Sequence, residues 1–489
     1  MISEFKPYPA YRDSGVEWLG EVPEHWQVAR LKTHLVRNDP GAWGTDFADN
    51  GTIVLRSTEQ TLEGGWRVKN PARRLLSQVE KEATLLHAGD LVVTKSSGSP
   101  AHIGKTSLVT AQIEGMECGF SNFTQRLRPD SNTAPRFIWA FLNNRAGRDQ
   151  LVYYSTTTTG LGNLNGTILG NLWVVFPSPP EQSAMVRFLD HVDRRIRRYI
   201  RSKQRLIALL HEQRQAVLHR AVTRGLDPNV PLKPSGVAWL GDVPEHWEVA
   251  ALRLRYSQCL GKMLDTKRIL GVHSLAYVRN VDVQWDRINT AGLPMMDIAP
   301  NEYQRYTVRS GDLLVCEGGE VGRSAIWNDE LARCGFQKAL HRLRPLSSER
   351  DLPRFLLHAL QVASKAGAFD DGHHSTIAHL TGDKLRAHRL AFPPKAEQIR
   401  IVAHLDRELG EVDRTVMTVG REISLLREYR TRLIADVVTG KLDVREAAAR
   451  LPEETDEPEP LDDTDTSPED ISDETAAPDL DAALEEAEA

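Results

Sequence analysis

Two long stretches of the chain repeat apolar residues at alternating steps of four and three. In the first, positions 185, 189, 192, 196, 199, 203, 206, 210, 213, 217 and 220 hold eight apolar residues out of eleven, and no Gly or Pro interrupts residues 181–224. In the second, the same register from Leu405 to Val437 holds nine apolar residues out of ten. A sustained repeat of about 3.5 residues is typical of a coiled coil. The pattern predicts two helices of roughly 40 residues each, packed antiparallel against each other.

The segments around these helices have shorter patterns. Proline-rich PSPPEQ and PPKAEQ precede the helices, and Gly225 and Gly440 stand where they should end. Elsewhere, alternating runs predict strands at 52–55, 91–94, 173–176, 275–278 and 313–315, and short helices are predicted at 135–143 and 353–362. We therefore predict an α+β protein with globular domains at 1–178 and 228–394, long helices at 179–227 and 395–445, and an acidic tail at 446–489.

The sequence also contains an internal repeat with a period of about 220 residues. SGVEWLGEVPEHW recurs as SGVAWLGDVPEHW, GDLVV as GDLLV, CGFSNFTQRLRP as CGFQKALHRLRP, PRF as PRF, FPSPPEQ as FPPKAEQ and AVTRGLD as VVTGKLD. So many anchors in one order indicate a tandem duplication. Because each half ends in a long helix, we expect a pseudo-two-fold axis with one globular domain at each end of the helix pair.

Charge is distributed unevenly. Residues 452–489 hold 17 Asp or Glu and no Lys or Arg, so the rest of the chain carries 61 basic against 50 acidic residues, about +11. A body this basic attracts polyanions, whereas the acidic tail is expected to be disordered. The tail could screen the basic body or simply improve solubility. Without a membrane-length apolar run, a signal-peptide pattern or a CxxC pair, we expect a cytoplasmic protein.

Several of these stretches together resemble the specificity subunits of type I restriction–modification systems. They are SGVxWLGxVPExW at the start of each half, EGGEVGRSAIW after GDLLV, FPxPPEQ before the first helix, and the duplication, which together cover residues 8–445. The resemblance implies two target recognition domains separated by two antiparallel helices. Each domain would read half of a bipartite DNA site. Two methyltransferase subunits would dock on the helices, and restriction/translocase subunits would join them.

No catalytic site is expected in this chain. It has no NPPY- or DPPY-type methyltransferase tetrad and no glycine-rich dinucleotide fingerprint. GSPAHIGKT has five residues between its glycines where a phosphate loop has four, and the histidines of DDGHHSTIAH lack a fixed ligand spacing. We expect no metal and no cofactor of its own. S-adenosylmethionine, ATP and magnesium would belong to the partner subunits.

Sequence-specific contact needs side chains that donate and accept hydrogen bonds in the major groove, and the polar loops between strands are where we look for them. Corresponding loops lie at 56–60, 95–99, 121–125 and 156–165 in the first half, and at 279–282, 317–323, 337–341 and 373–379 in the second. The candidate DNA contacts are Arg56, Lys95, Ser96, Ser97, Ser99, Asn122, Gln125, Thr156, Thr157, Thr158, Asn163 and Asn165 in the first half, and Arg279, Asn280, Glu317, Arg323, Gln337, Lys338, His373, His374, Ser375 and Thr376 in the second. Ordinary surface loops are the alternative for any one of them.

A cluster of basic residues lies on the first predicted long helix. RRIRRYIRSKQR, residues 194–205, has seven basic residues in twelve. It could be a solvated or ion-paired face, a phosphate contact across the spacer DNA, or a docking site for an acidic patch on the methyltransferase. Two other functions stay open at this point: a coiled-coil interaction scaffold, and a DNA-acting enzyme with an unrecognised site.

Overall fold

The computed structural model describes residues 6–97, 101–155, 162–264, 271–369 and 379–452. The chain divides into two units, one formed by residues 1–204 and 421–489 and the other by residues 205–420. Each unit combines short strands and short helices with parts of both long helices, which confirms the α+β class.

The first unit is built around a four-stranded antiparallel sheet. Its strands are β1 (Tyr11–Asp13), β2 (Glu21–Pro23), β3 (Gln27–Arg30), β4 (Leu35–Pro40), β5 (Phe47–Leu55), β6 (Ala72–Arg74), β7 (Leu91–Thr94), β8 (Ser96–Ser97), β9 (Thr106–Leu108), β10 (Gly119–Phe120), β11 (Thr124–Pro129), β12 (Gly162–Asn163) and β13 (Trp173–Phe176). Its helices are α1 (Gln78–Thr84), α2 (Ala111–Glu114), α3 (Pro135–Leu142), α4 (Arg145–Ser155), α5 (Gly166–Gly170) and the beginning of α6 (Pro179–Arg224). The central sheet has the order β4-β11-β7-β9, beside a sheet of order β10-β5-β6.

The second unit repeats this plan. Its strands are β14 (Leu232–Pro234), β15 (Asp242–Pro244), β16 (Glu248–Ala251), β17 (Tyr256–Leu260), β18 (Ser274–Val278), β19 (Val283–Gln284), β20 (Arg287–Ile288), β21 (Met295–Asp297), β22 (Leu313–Cys316), β23 (Ser324–Ile326), β24 (Gly335–Phe336), β25 (Leu340–Pro345) and β26 (Arg389–Phe392). Its helices are α7 (Tyr303–Tyr306), α8 (Pro353–Lys365), α9 (Gly382–Ala387) and the beginning of α10 (Lys395–Val438), whose end joins the first unit with α11 (Arg445–Ala449).

Equivalent sheets show that the duplicated sequence forms a duplicated fold. The order β17-β25-β22-β23 matches β4-β11-β7-β9, and β21-β18-β24 matches β6-β5-β10. In both units the Gly-Phe of the Cys-Gly-Phe sequence forms a short strand that pairs in parallel, β10 with β5 and β24 with β18. The predicted short helices also form, and α3 and α8 bury their apolar faces in the cores of their own units.

The repeated GDL and RLRP sequences are explained by one buried ion pair in each unit. Arg128 Nε donates to Asp90 Oδ1 at 2.6 Å, and Arg344 Nε donates to Asp312 Oδ1 at 2.5 Å. Both aspartates are almost completely buried, so each depends on its arginine to offset the cost of desolvation. These two sequence repeats are therefore structural.

The repeated Glu-Gln pair at the start of each long helix also has a structural role. Gln182 accepts a hydrogen bond from the Ala134 N–H at 2.8 Å, and Gln398 accepts one from the Leu352 N–H at 2.8 Å. Each glutamine thus satisfies a backbone donor at the residue before α3 or α8. The preceding Glu181 receives the Trp26 indole N–H at 3.1 Å, which ties the first WLGxVPEHW sequence to α6.

Both predicted long helices are present, as α6 and α10, and they run antiparallel within each unit. In the first unit, Asp193 of α6 meets Arg430 of α10, and Lys203 Nζ lies 2.5 Å from Glu422 Oε2. In the second unit, Arg214 Nε lies 3.4 Å from Asp413 Oδ1. Gly225 and Gly440 follow the helix ends with φ of 75° and 80°, as a glycine helix terminus requires.

The predicted apolar seam is confirmed on α10 and needs correction on α6. On α10 the predicted positions Leu405, Leu409, Val412, Val419, Ile423, Leu433 and Val437 are buried. On α6, Met185, Leu189 and Ile196 are buried, but Tyr199 and Leu206 are 54% and 42% exposed, while Ile200 is 4% exposed. A straight helix with 3.6 residues per turn drifts away from a strict 3.5-residue repeat, so the buried face moves by one position after Ile196.

Candidate nucleic-acid interface

The predicted DNA contacts are only partly described by the structure. Ser99, Thr156, Thr157, Thr158, His373, His374, Ser375 and Thr376 lie outside the described residues, as do residues 98–100 of GSPAHIGKT and 370–378 of DDGHHSTIAH. The remaining candidates fall into two groups. Some line an open polar groove or its counterpart, and others are held by hydrogen bonds inside their own unit.

In the first unit, several predicted residues from separate loops meet at one groove. Its volume is about 600 Å³, and polar side chains make up most of its lining residues. Lys95 comes from the end of β7, Gln125 from β11 and Asn165 from the residue before α5. The other lining residues are Lys32, Asn38, Pro40, Gly166, Thr167, Gly170 and Asn171. Two ammonium groups and several amides give this groove donors and acceptors in the combination that base edges and phosphates require.

A chain of amide hydrogen bonds shapes the floor of this groove. Gln125 Nε2 donates to Asn38 Oδ1 at 2.8 Å, and Asn38 Nδ2 donates to the Gly166 carbonyl at 2.7 Å. A Cβ atom at Gly166 would lie 2.8 Å from Gln125 Nε2, so the glycine lets α5 approach the sheet closely. Asn165 caps α5 by accepting the Ile168 N–H at 2.8 Å. The amides are consequently held in fixed orientations.

The second unit carries the same arrangement with different side chains. His341 stands at the repeat position of Gln125, and Gln258 stands at that of Asn38. His341 donates from Nε2 to the Leu380 carbonyl at 2.9 Å and accepts at Nδ1 from Gln258 Nε2 at 2.6 Å. Burial lowers the pKa of His341, which keeps this imidazole neutral at pH 7. Gly382 lies against Gln258 as Gly166 lies against Gln125.

Backbone hydrogen bonds fix equivalent positions in the two arrangements. The Lys95 N–H donates to the Phe123 carbonyl at 2.9 Å, and its carbonyl accepts from the Leu164 N–H at 2.6 Å. In the second unit the Glu317 N–H donates to the Ala339 carbonyl at 3.0 Å, and its carbonyl accepts from the Leu380 N–H at 2.7 Å. Lys95 and Glu317 therefore occupy the same place in the same frame.

Four other predicted contacts are anchored within their own units. Arg56 Nη2 lies 2.8 Å from Glu59 Oε1, and Arg279 Nη2 lies 2.8 Å from Asp282 Oδ1. Arg323 Nη2 donates to the carbonyl and side-chain oxygens of Asn280 at 3.0 and 3.1 Å. These side chains shape the loops after β5 and β18. If one of these side chains bound DNA, that contact would compete with its hydrogen bond or ion pair within the unit.

The lysine of the GSPAHIGKT sequence is anchored in a similar way. Lys105 is buried, and its Nζ donates to the Ser57 and Gln60 carbonyls at 3.0 and 3.1 Å. A phosphate-loop lysine must instead reach the bound phosphates. The structure therefore gives Lys105 the same loop-holding task that its repeat counterpart, Arg323, has in the second unit.

The remaining predicted residues are distributed around the groove loops. Ser96 Oγ donates to Asn163 Oδ1 at 3.1 Å across the β8–β12 pair, and Ser97 is buried. Asn122 is half-buried, Gln337 is half-buried after β24, and Lys338 is exposed beside it. The exposure of each of these residues therefore depends on the tertiary packing around its loop.

Sequence reasoning missed the residues contributed by β4, β17 and the turn before β4. Lys32, Asn38 and Gln258 lie on or next to the edge strand of each four-stranded sheet, and each faces the groove loops. Asn38 and Gln258 are polar residues within edge strands that pair with the RLRP strands. Side chains alternate between the two faces of a sheet, so this pairing would have indicated which face each residue occupies. That pairing becomes visible only from the sheet order.

Comparison with known proteins gives one consistent result. The Type I restriction modification DNA specificity domain matches residues 281–412. The chain is 22% identical to the type I restriction enzyme StySPI specificity subunit of Salmonella potsdam, over 86% of this chain and 90% of that one. It is 20% identical to the EcoKI specificity subunit of Escherichia coli K12, with the same two coverages. The chain is therefore similar to type I restriction enzyme specificity subunits over most of its length.

Two solved structures have a similar fold. One belongs to a study of complex assembly and conformational transition of the type I restriction–modification system, with a TM-score of 0.66 and 17% identity over 86% of this chain and 99% of that chain. Another is the HsdS subunit of Thermoanaerobacter tengcongensis, with a TM-score of 0.51 and 17% identity over 86% of this chain and 98% of that chain. At this identity the likeness establishes the fold alone.

The basic segment at residues 194–205 is partly ion-paired. Arg197 Nε lies 3.0 Å from Asp193, and Lys203 lies against Glu422, whereas Arg195, Arg198 and Arg205 are exposed. Among the described residues, no group of three or more His, Cys, Asp or Glu side chains is placed to hold a metal ion. Within that same part of the chain, no helix has the length and apolar content needed to cross a membrane.

Proposed function

We propose that this chain is the DNA-recognition subunit of a type I restriction–modification complex, and that each of its two units reads one half of a bipartite target. One observation carries the proposal. Two hydrogen-bonded frames with matching backbones hold different polar side chains, Lys95, Gln125 and Asn38 in one unit and Glu317, His341 and Gln258 in the other. A conserved frame with changed contact residues is what recognition of two different sequences requires.

The chemistry is assigned to partner subunits. Methylation and cleavage would be performed by two methyltransferase subunits and by restriction/translocase subunits, which would supply the sites for S-adenosylmethionine, ATP and magnesium. This chain would bind DNA, position those partners and choose the adenines that are modified. The excess of about +11 charges outside the acidic tail favours association with DNA through release of counterions.

The long helices would set the distance between the two half-sites. Both α6 and α10 contribute residues to both units, so a change in their length alters the connection without altering either groove. Two half-sites read from one face of B-DNA lie about one helical turn, roughly 34–36 Å, apart. Inserting matched heptads into α6 near Ser202 and into the facing part of α10 is expected to lengthen the unspecified spacer while both half-sites stay the same.

The decisive experiment is methylome sequencing of a restriction-deficient host that expresses this chain with its cognate methyltransferase. We expect methylated adenines within one bipartite, non-palindromic sequence, and none when this chain is omitted. Methylation that is absent, or present without this chain, contradicts the proposal. Methyl transfer by the purified chain alone would favour an enzyme, and a salt-insensitive protein complex that does not retain DNA would favour an interaction scaffold.

A further inference from the structure

Lys95 and Glu317 place opposite charges at one position of the duplicated frame. Each directly follows a central strand of its four-stranded sheet, β7 or β22. The backbone N–H of each residue donates one hydrogen bond and its carbonyl accepts one. The sequences around them are similar, GDLVVTK and GDLLVCE, so the charge reversal stands out against a shared background. Two units that read different bases would be expected to differ in charge at such a position.

Neither charged group is neutralised by the described residues of its own unit. The Lys95 ammonium lines the groove and has no hydrogen-bond or ion-pair partner among them, and burial lowers its pKa. The Glu317 carboxylate likewise has none in the described part of the chain, and its field acts on the nearby His341 imidazole. Both side chains are partly exposed, so each charged group is accessible to a ligand that could pair with it.

The carboxylate restricts what that ligand can be. DNA phosphates repel Glu317, so this position cannot be a backbone contact in the second unit. Because the two frames share their hydrogen bonds, the two positions should approach DNA in the same way, and Lys95 should therefore also face bases. In the major groove, a carboxylate can accept from the cytosine amino group, whereas the adenine amino group stands beside the N7 acceptor, which would repel it. Lysine matches the paired O6 and N7 acceptors of guanine.

We infer that Lys95 and Glu317 are specificity-determining residues at equivalent positions of the two half-sites, Lys95 reading a guanine and Glu317 reading a cytosine. This inference rests on the proposed function and adds the base class at one position of each half-site. Neighbouring groups support it, since Gln125 and Asn38 in one unit, and His341 and Gln258 in the other, are fixed by hydrogen bonds and form a rigid wall beside the charge.

The test exchanges the charges one at a time in the intact complex. Lys95→Glu and Glu317→Lys are each expressed with the methyltransferase, and the methylated sites are sequenced. We expect Lys95→Glu to convert one guanine of the first half-site to cytosine, and Glu317→Lys to convert one cytosine of the second half-site to guanine. Each preference should change by about tenfold to a hundredfold, while the other half-site and the spacer stay unchanged.

Matched controls separate base reading from a general charge effect. Lys81→Glu on α1 and Glu349→Lys after β25 make the same charge changes at exposed positions away from the frame, and both should leave the recognised sequence unchanged. The amide variants Lys95→Gln and Glu317→Gln decide the case if a charge exchange abolishes methylation. Each should relax one base position of its own half-site only.

The outcomes distinguish this inference from the proposed function. A wild-type chain that directs no bipartite methylation contradicts the proposed function itself. A wild-type chain that does so, with charge-exchange and amide variants that keep the same bases or weaken methylation equally at all sequences, overturns the inference alone. In the latter case the two residues would contribute to affinity without reading a base.

Discussion

Replacing Asp193 with Ala should destabilise the first unit strongly, because this carboxylate is the centre of a buried charge cluster on the helix pair. Asp193 is 9% exposed and Arg430, which contacts it from α10, is 14% exposed. Arg197 Nε lies 3.0 Å from Asp193 and Arg136 Nη2 lies 3.7 Å from it. Removing the carboxylate would leave three arginines facing one another at the helix seam.

The expected loss follows from the burial of both partners. Removing one member of a buried pair typically costs about 3–5 kcal/mol, because the other charge stays desolvated. Arg430 retains a weaker partner in Glu63, at 3.8 Å, so we expect a value of about 3 kcal/mol, near the lower end. Replacing both Asp193 and Arg430 with Leu should recover most of this loss, and the second unit already has Leu409 at the repeat position of Asp193.

Urea unfolding followed by helical circular dichroism measures this loss directly. Asp190→Asn is the matched control, since Asp190 lies one turn earlier on α6 and pairs with Arg136 at 2.9 Å in a more exposed position. That control should cost at most about 1 kcal/mol. If Asp193→Ala unfolds within about 0.5 kcal/mol of the wild type, the cluster is not stabilising the helix pair and the reasoning fails.

The same cluster predicts a pH dependence. Burial alone would raise the pKa of Asp193, but the charges of Arg430, Arg197 and Arg136 lower it overall. A carboxyl group whose pKa is lower in the folded state stabilises the protein fully above its unfolded pKa of about 4 and loses that contribution as pH falls through the folded value. The difference in stability between wild type and Asp193→Asn should therefore be constant near neutral pH and shrink below about pH 4.

Three further predictions concern the helix pair and its ends. The fragment 1–227 should form a homodimer, because Arg214 stands at the repeat position of Arg430 and can meet Asp193 of a second copy. Light scattering measures the mass of the fragment, and a monomer would contradict the duplicated-helix interpretation. Trp26→Ala should lower the free energy of unfolding by about 3–5 kcal/mol in urea titrations, since Trp26 is fully buried and bonded to Glu181, while the less buried Trp18→Ala should cost less. Deleting residues 453–489 should leave the methylated sequence unchanged in methylome data, because Arg187 keeps its hydrogen bonds to the Leu451 and Pro452 carbonyls; a changed sequence would show that the tail takes part in recognition.

Local sequence patterns were enough to predict the helices, many strands and the duplication. The 3.5-residue repeat identified α6 and α10, and alternating apolar runs identified β7, β13 and β22 with their observed positions or within one residue. These signals depend on burial along one short segment, so no long-range information was needed. The seam on α6 was correct up to Ile196 and wrong at Tyr199 and Leu206, because small departures from a 3.5-residue repeat accumulate along a helix.

The sequence by itself determined that the chain has two equivalent halves, which loops of one half correspond to which loops of the other, and that their polar contents differ. Only the tertiary structure decided which of those side chains face a common groove. Asn38 and Gln125 are 87 residues apart in sequence, and their contact depends on the pairing of β4 with β11. Likewise, Arg56, Arg279 and Arg323 are held by nearby carboxylates and amides, while Lys95 and Glu317 are partly exposed. Composition shows how many charges a loop carries, but the partner that neutralises each charge is set by the packing of distant segments.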